Sequence, residues 1–206
     1  MPVCHDFGWG KDAMMAIDNN HRPNDMHVEV VRDLNEFMKI VAIRASVFLA
    51  EQDCPYDEEF DQNDLQACHL IAYLRGEPVG TLRIRWFANF AKIERVCIMK
   101  HVRGGALVKL LIETAIDLIS RKGYPMAIGY IQKRLVPFWR QLGFTAREGR
   151  DGFRFSDYDY VECSRQLPAR ADALTVDSDP YVLMRPEGDW DHENVLDRSA
   201  LRPAVA

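Results

Sequence analysis

The sequence predicts an α/β domain in which a mixed sheet carries helices on both faces. Two observations point there. Short runs that alternate in polarity or are wholly apolar (CHLIAYLR, VGTLRIRWF, AKIERVCIM, PMAIGYI) are interleaved with longer segments whose apolar residues recur at helical spacing. At 206 residues, 48% of them apolar, the chain suits one domain with a core of ordinary size and some extra tail.

The elements follow in order. VEVVRD, residues 28–33, reads as a short strand, and residues 34–52 as a helix with Leu34, Phe37, Ile40, Val41, Ile43, Val47 and Phe48 at helical spacing and Asp33 as its cap. CPYDEEFDQND, residues 54–64, is an acid-rich loop. CHLIAYLR, the turn GEP and VGTLRIRWF form a hairpin, and AKIERVCIM is the next strand. Residues 105–123 make an amphipathic helix that ends at Gly123, a natural residue to follow a helix C-terminus. PMAIGYI is a buried strand, RLVPFWRQLG a short helix closed by Gly143, and FTAREG with FRFSDYDYVECSRQL supplies the last strands. The domain spans residues 27–167. Residues 1–26 lack sustained periodicity and read as an extension. Residues 168–206, rich in Asp and Pro, read as a tail that packs in part through Tyr181, Val182, Leu183, Met184 and Trp190.

Composition excludes several classes. A formal charge of -5, with Lys and Arg scattered among acids, argues against a nucleic-acid partner. The 5 cysteines, Cys4, Cys54, Cys68, Cys97 and Cys163, form no CxxC pair and no zinc spacing, so they read as reduced thiols and no metal is expected. The N-terminal residues lack a basic and then apolar signal pattern, and no run reaches bilayer-spanning length. No membrane partner is expected, and a cytoplasmic protein is. A homodimer is compatible with the tail and the edge strands.

The unit that carries chemistry is strand, glycine-bearing turn and long helix: IERVCIM, KHVRGGALV, KLLIETAIDLI. A helix N-terminus presents unpaired N–H groups and a partial positive charge, and glycine lets backbone approach a phosphate. Gly104 and Gly105 would equally serve a tight strand-to-helix turn. The segment from Val96 to Val108, followed by PFWRQLGF, resembles the acetyl-CoA site and final helix of the GCN5-related N-acetyltransferase superfamily. IRASVFLAEQDCPYDEEFDQNDLQACHL resembles the N-terminal signature of its ElaA-like branch, with Arg44, Val47, Phe48, Glu51, Gln52, Cys54, Pro55, Tyr56, Asp61, Asp64 and His69 in place; Gln132 also matches that branch. The resemblance covers residues 28–167.

It implies a mostly antiparallel sheet that splays after its fourth strand. It also implies acetyl-CoA or another acyl-CoA as co-substrate, its pantetheine arm on the backbone of Val96, Cys97 and Ile98 and its pyrophosphate on Arg103, Gly104, Gly105, Ala106, Leu107 and Val108. A small-molecule amine or a protein amine would attack the thioester directly, the enzyme supplying positioning, an amide donor and proton transfer. Two departures stand out. The turn usually reads R/Q-x-x-G-x-G/A, and here Ala106 and Val108 occupy the last two key positions, the valine bringing a branched side chain near phosphate-facing backbone. Trp139 stands where many members place a tyrosine that protonates the leaving thiolate, and indole cannot do so.

Strand alternation puts Glu94 on the face of Val96, where it can act as the base through water, or pair with Lys92 or Arg83. His69 is a second titratable group, equally suited to a structural hydrogen bond. Tyr130, Tyr158 and Tyr160 are proton donors or packing residues. Cys97 points away from Val96 and reads as a small hydrophobe; Cys54 sits among carboxylates that raise its pKa. Asp57, Glu58, Glu59, Asp61 and Asp64 either attract a cationic amine or form a structured turn, the latter preferred for Asp61 and Asp64. Two other readings stay open: a degenerate, non-catalytic acyltransferase fold, motivated by Ala106, Val108 and Trp139, and an acyl-homoserine-lactone-synthase-like enzyme, motivated by the EFDQND run before LRIR.

Overall fold

The computed structural model describes residues 25–202. The expected extension lies almost wholly outside them. Strand β1 (Met26–Val30) starts two residues earlier than predicted, and Asp33 caps α1 (Leu34–Arg44) as expected, its carboxylate accepting from the Glu36 N–H at 2.8 Å. The predicted long helix does not run on to residue 52. At Arg44 it passes into a π-helical turn (Ala45–Leu49), and the acidic loop contains a one-turn helix, α2 (Tyr56–Glu59).

Strands β2 (Cys68–Leu74), β3 (Glu77–Trp86) and β4 (Ala91–Ile98) form an antiparallel meander. Helix α3 (Gly105–Arg121) follows and stops where predicted, with Gly123 at φ 79°. Then come β5 (Met126–Gln132), α4 (Val136–Gln141), and the strands β6 (Thr145–Ala146), β7 (Phe153–Phe155) and β8 (Tyr158–Gln166). The last run therefore divides in two, β7 turning into β8 through Ser156 and Asp157 at φ 44° and 64°. Sheet order is β1-β2-β3-β4-β5-β8-β6 with β7 on β8, and every pairing is antiparallel except β4 with β5.

Helix α3 lays Leu111, Ile112, Ala115 and Ile119 against Leu70, Leu82, Ile84 and Ile93 on one face of the sheet. Helix α1 and the π-helical turn after it pack Ile40, Ile43 and Val47 against Ile71, Tyr73 and Cys97 on the other. The helical stripe buries because leaving each such side chain in water would forgo about 1.5–3 kcal/mol. The tail is built into this core. Trp190 is a buried member of the core cluster, Leu174 and Val182 pack against that cluster, and Gly188 fits where a Cβ would stand 2.6 Å from Val30 Cγ2. Ion pairs from Lys122 to Glu187 and from Arg121 to Asp191 tie it to the end of α3. No helix among the described residues is long and apolar enough to cross a membrane.

Candidate active site

Two local features open a cleft. Strands β4 and β5 pair only from Ala91/Ala127 to Ile93/Gly129. Beyond that β5 stays on β8, so the β5-facing edge of β4 from Glu94 to Ile98 has no strand partner among the described residues. Register with β3 also slips: Arg83 faces Glu94 but Thr81 faces Cys97, so Arg95 and Val96 together oppose Leu82. Arg95 takes φ 51° at this bulge, uncommon for a side chain of its size. The result is a cleft of about 630 Å³ between the diverging strands, lined also by the π-helical turn after α1, the acidic loop, α4 and the β7–β8 turn.

The bulge corrects the predicted alternation. Glu94 does not share a face with Val96. It shares the α1 face with Cys97, while Val96 packs toward the α3 cluster. The Glu94 carboxylate accepts from Arg83 Nη2 at 2.6 Å and Arg83 Nε at 3.0 Å, and Lys92 Nζ stands 2.6 Å away. Burial opposes ionisation, but Lys92 and Arg83 outweigh it and hold Glu94 below the usual carboxylate range. Cys97 is buried in the α1 cluster, and burial pushes its thiol up; burial also raises Cys54, ahead of its carboxylate neighbours.

Of the residues implicated by sequence, Val96, Cys97, Ile98, Arg103 and Val108 line the cleft together with Glu94, whereas Gly104, Gly105, Ala106 and Leu107 do not. Helix α3 begins beside it with Gly104 as N-cap and no side-chain capping bond, which leaves its first amides without a cap from that residue. A Cβ on Gly105 would meet nothing within 4 Å, and Ala106 is exposed, so the turn presents open backbone. Leu107 and Val108 point inward and are 3% and 7% exposed; the valine's branches thus pack into the core. Arg103 is braced elsewhere, its guanidinium clasping the Glu51 carboxylate and its Nε donating to the Ile98 carbonyl at 3.0 Å. Trp139 is buried edge-on to Phe144, at 4.9 Å between centroids, and forms part of the cleft wall.

The acidic loop is largely structural for Asp61 and Asp64, as preferred from sequence. Asp61 holds Arg83 at 2.7 and 2.8 Å, and Asp64 holds Arg83 at 2.8 Å and Arg44 at 2.6 Å. Burial works against both carboxylates, but these guanidinium groups hold both below their usual range, Asp61 well below it. Glu59 joins through Arg44 and Arg95, yet burial still raises it. Arg44 and Arg83 are 0% and 1% exposed, so this network fixes the loop against α1, β3 and β4. His69 is structural too. Its Nε2 bonds to the Asp64 carbonyl at 2.9 Å, its ring meets Phe37 edge-on, and burial lowers its pKa.

Among the tyrosines, Tyr160 has the partnered hydroxyl in the cleft. Gln132 Nε2 donates to it at 3.3 Å while Gln132 Oε1 accepts from Arg134 Nε at 2.9 Å, and burial raises its pKa. Sequence reasoning missed Arg95 as the bulge residue, Arg83 as the hub of the network, and Phe153, Phe155 and Ser156 as cleft wall. The alternating run FRFSDY was the only hint of the last three.

Residues 34–144 match the model of the acetyltransferase (GNAT) family. The chain belongs to that family. A Bacillus subtilis chain that goes by an acetyltransferase name is 28% identical over 144 residues, 68% of this chain and 97% of its own. The GNAT fold recurs in solved structures: an acyl-CoA N-acyltransferase from Pseudomonas aeruginosa (TM-score 0.61, 25% identity, 68% of this chain and 99% of that one) and Escherichia coli ElaA (TM-score 0.61, 19% identity, 68% and 99%). GNAT enzymes use acetyl-CoA or another acyl-CoA as co-substrate. Among the described residues no group of His, Cys, Asp and Glu could hold a metal ion.

Proposed function

We propose that this GNAT chain is an acyl-CoA-dependent N-acyltransferase, in the first instance an N-acetyltransferase of the ElaA-like branch, acting on a small-molecule or protein amine. One observation carries the reading: the edge of β4 that has no strand partner among the described residues lines a cleft whose wall also holds Arg103 and Val108, the residues that flank the first turn of α3. The residues present fit an acyl-CoA. The edge of β4 through Val96, Cys97 and Ile98 would pair with the amides of an extended pantetheine arm, as an added strand pairs with a sheet edge. The first amides of α3, from Gly104 to Leu107, would face a pyrophosphate where Gly105 leaves space for close approach. Arg103, neutralised by Glu51, serves this turn as a brace, and Val108 as its inner packing.

When bound, the co-substrate supplies an acyl group activated as a thioester. The chain's part is to orient an amine against it, exclude water with the wall of Val47, Phe48, Phe138 and Trp139, and move protons. We assign Glu94 the proton of the incoming amine, taken through water. Lys92 and Arg83 keep it ionised, as an acceptor must be, and also limit its basicity. Tyr160, with its hydroxyl fixed by Gln132, is the donor best placed to compensate for the indole at Trp139. The reduced thiols fit a cytoplasmic setting. The catalytic domain is proposed as residues 27–167, with 168–206 as a packed tail.

Calorimetric titration with acetyl-CoA tests the reading. Binding is expected in the wild type and not in Gly104→Glu, and a folded wild-type chain that binds no acyl-CoA would sink it. Glu94→Gln is expected to lower kcat roughly tenfold to hundredfold, the low end of general-base effects because its partners weaken it as a base.

A further inference from the structure

The cleft has charges left over. Its lining cations are all engaged: Lys92 with Glu94 at 2.6 Å, Arg95 with Glu59 at 3.0 Å and Asp61 at 3.2 Å, Arg103 with Glu51, Arg85 over the Phe87 ring, and Arg134 with Gln132. Its lining carboxylates are not. Glu59, Asp61 and Glu94 are paired, whereas Asp57 and Glu58 have no cationic partner among the described residues, and Glu58 Oε2 has no hydrogen-bond partner either. This surplus of carboxylates over available cations on the cleft wall favours a cationic ligand.

An aromatic wall adjoins the same space. Tyr130, Phe153, Tyr160 and Phe155 form a continuous series, with centroids 5.0, 5.7 and 6.2 Å apart, and Phe153 and Phe155 remain 40% and 39% exposed. The Lys92 ammonium already stands 3.8 Å from the centre of the Tyr130 ring, so this wall accepts a cation over a π face. Ser156 Oγ donates to Cys54 Sγ at 3.6 Å, which brings the turn after Phe155 against the loop just before Glu58. Aromatic wall and free carboxylate thus belong to one enclosure.

We infer that this enclosure is the acceptor subsite and that the acceptor is a primary amine which arrives as an ammonium ion on an aromatic or apolar body, without a carboxylate beside the nitrogen. The inference rests on the proposed acyltransferase reading. Glu58 pairs with the ammonium, and Phe153 and Phe155 cover the body. The ammonium loses one proton to water before attack. The C–N bond then forms as the C–S bond breaks, the second proton leaves nitrogen, and the thiolate takes up one proton, so that ammonium and thioester give amide, thiol and one released proton. An α-amino acid is disfavoured because its carboxylate would lie against Glu58.

The test uses the full chain. Phenethylamine and phenylalanine, which differ by one carboxylate, are compared by thiol release from acetyl-CoA and by direct calorimetric titration with and without acetyl-CoA. Phenethylamine is expected to show kcat/KM at least tenfold above phenylalanine. Glu58→Gln and Phe155→Ala should each weaken phenethylamine about tenfold or more, mainly through KM, while acetyl-CoA affinity stays within twofold and thermal unfolding confirms folding. Equal or better use of phenylalanine, or phenethylamine binding unchanged in folded Glu58→Gln, overturns the inference. So does absence of phenethylamine binding under both conditions. Failure to bind acetyl-CoA instead defeats the acyltransferase reading, and the subsite then stands or falls on the amine titration alone.

Discussion

Replacing Gly105 by alanine separates stability from ligand binding, because the two are expected to move in opposite directions. Gly105 is the first residue of a 17-residue helix, it does not adopt a positive φ, and a Cβ there meets nothing within 4 Å. With no clash to offset it, the lost freedom of the unfolded chain should stabilise the protein by about 0.4–1 kcal/mol. For a chain of this size that is a rise in Tm of roughly 1–4 °C. The space that accepts the methyl group in the free protein is also the space through which a pyrophosphate would reach the first amides of α3. Each charge-assisted hydrogen bond to such an anion is worth about 1.5–3 kcal/mol, so losing one corresponds to roughly tenfold to hundredfold weaker acetyl-CoA binding. Thermal unfolding without ligand gives the first quantity and calorimetric titration the second. A variant that is more stable yet binds acetyl-CoA with wild-type affinity would refute the placement of the pyrophosphate at this turn.

Arg83→Met should destabilise the chain by about 3–5 kcal/mol in chemical denaturation, since it strips a 1%-exposed guanidinium from Asp61, Asp64 and Glu94. A loss below 1 kcal/mol would show that Arg44, Lys92 and Arg95 suffice to hold these acids. The same three carboxylates are held below their unfolded pKa values, so the stability they contribute is present above about pH 4–5 and is lost as pH falls through their folded values. Glu59, raised by burial, has the opposite sign and partly offsets that loss. Asp61→Asn is accordingly expected to flatten the acid limb of a Tm-versus-pH profile, and an unaltered limb would assign it to other groups. Trp190→Ala should cost about 3–5 kcal/mol, because this tail residue is 7% exposed within the main core; a change under 1 kcal/mol would show the tail to be dispensable.

Much of the scaffold was legible because its signals are local. Period-2 runs located β2, β3 and β4, helical periodicity located α3, and Gly123 and Gly143, both at φ 79°, marked the helix ends that only glycine closes without strain. The candidate site was legible to the extent that its proposed segment is backbone at the end of β4 and the start of α3. Where a local signal was absent the reading failed. Arg95 holds a positive φ with no glycine to announce the bulge, so the faces of Glu94 and Val96 were assigned by simple alternation. The β7–β8 turn uses Ser156 and Asp157 at positive φ, where asparagine and glycine are the usual cues, so one predicted run turned out to be two strands.

The sequence by itself determined the α/β class, the order of the principal elements and the segment on which an acyl-CoA is proposed to lie, since each depends on neighbours within a turn or two along the chain. Tertiary structure alone decided how the acids and bases are paired. Glu94 finds Lys92 within its own strand but Arg83 across the sheet, Arg44 reaches fifteen residues on to Glu59, and Glu58 is left without a cationic partner among the described residues. A charge is satisfied through space, and spacing along the chain does not encode which of several nearby opposite charges the fold will bring within hydrogen-bond reach.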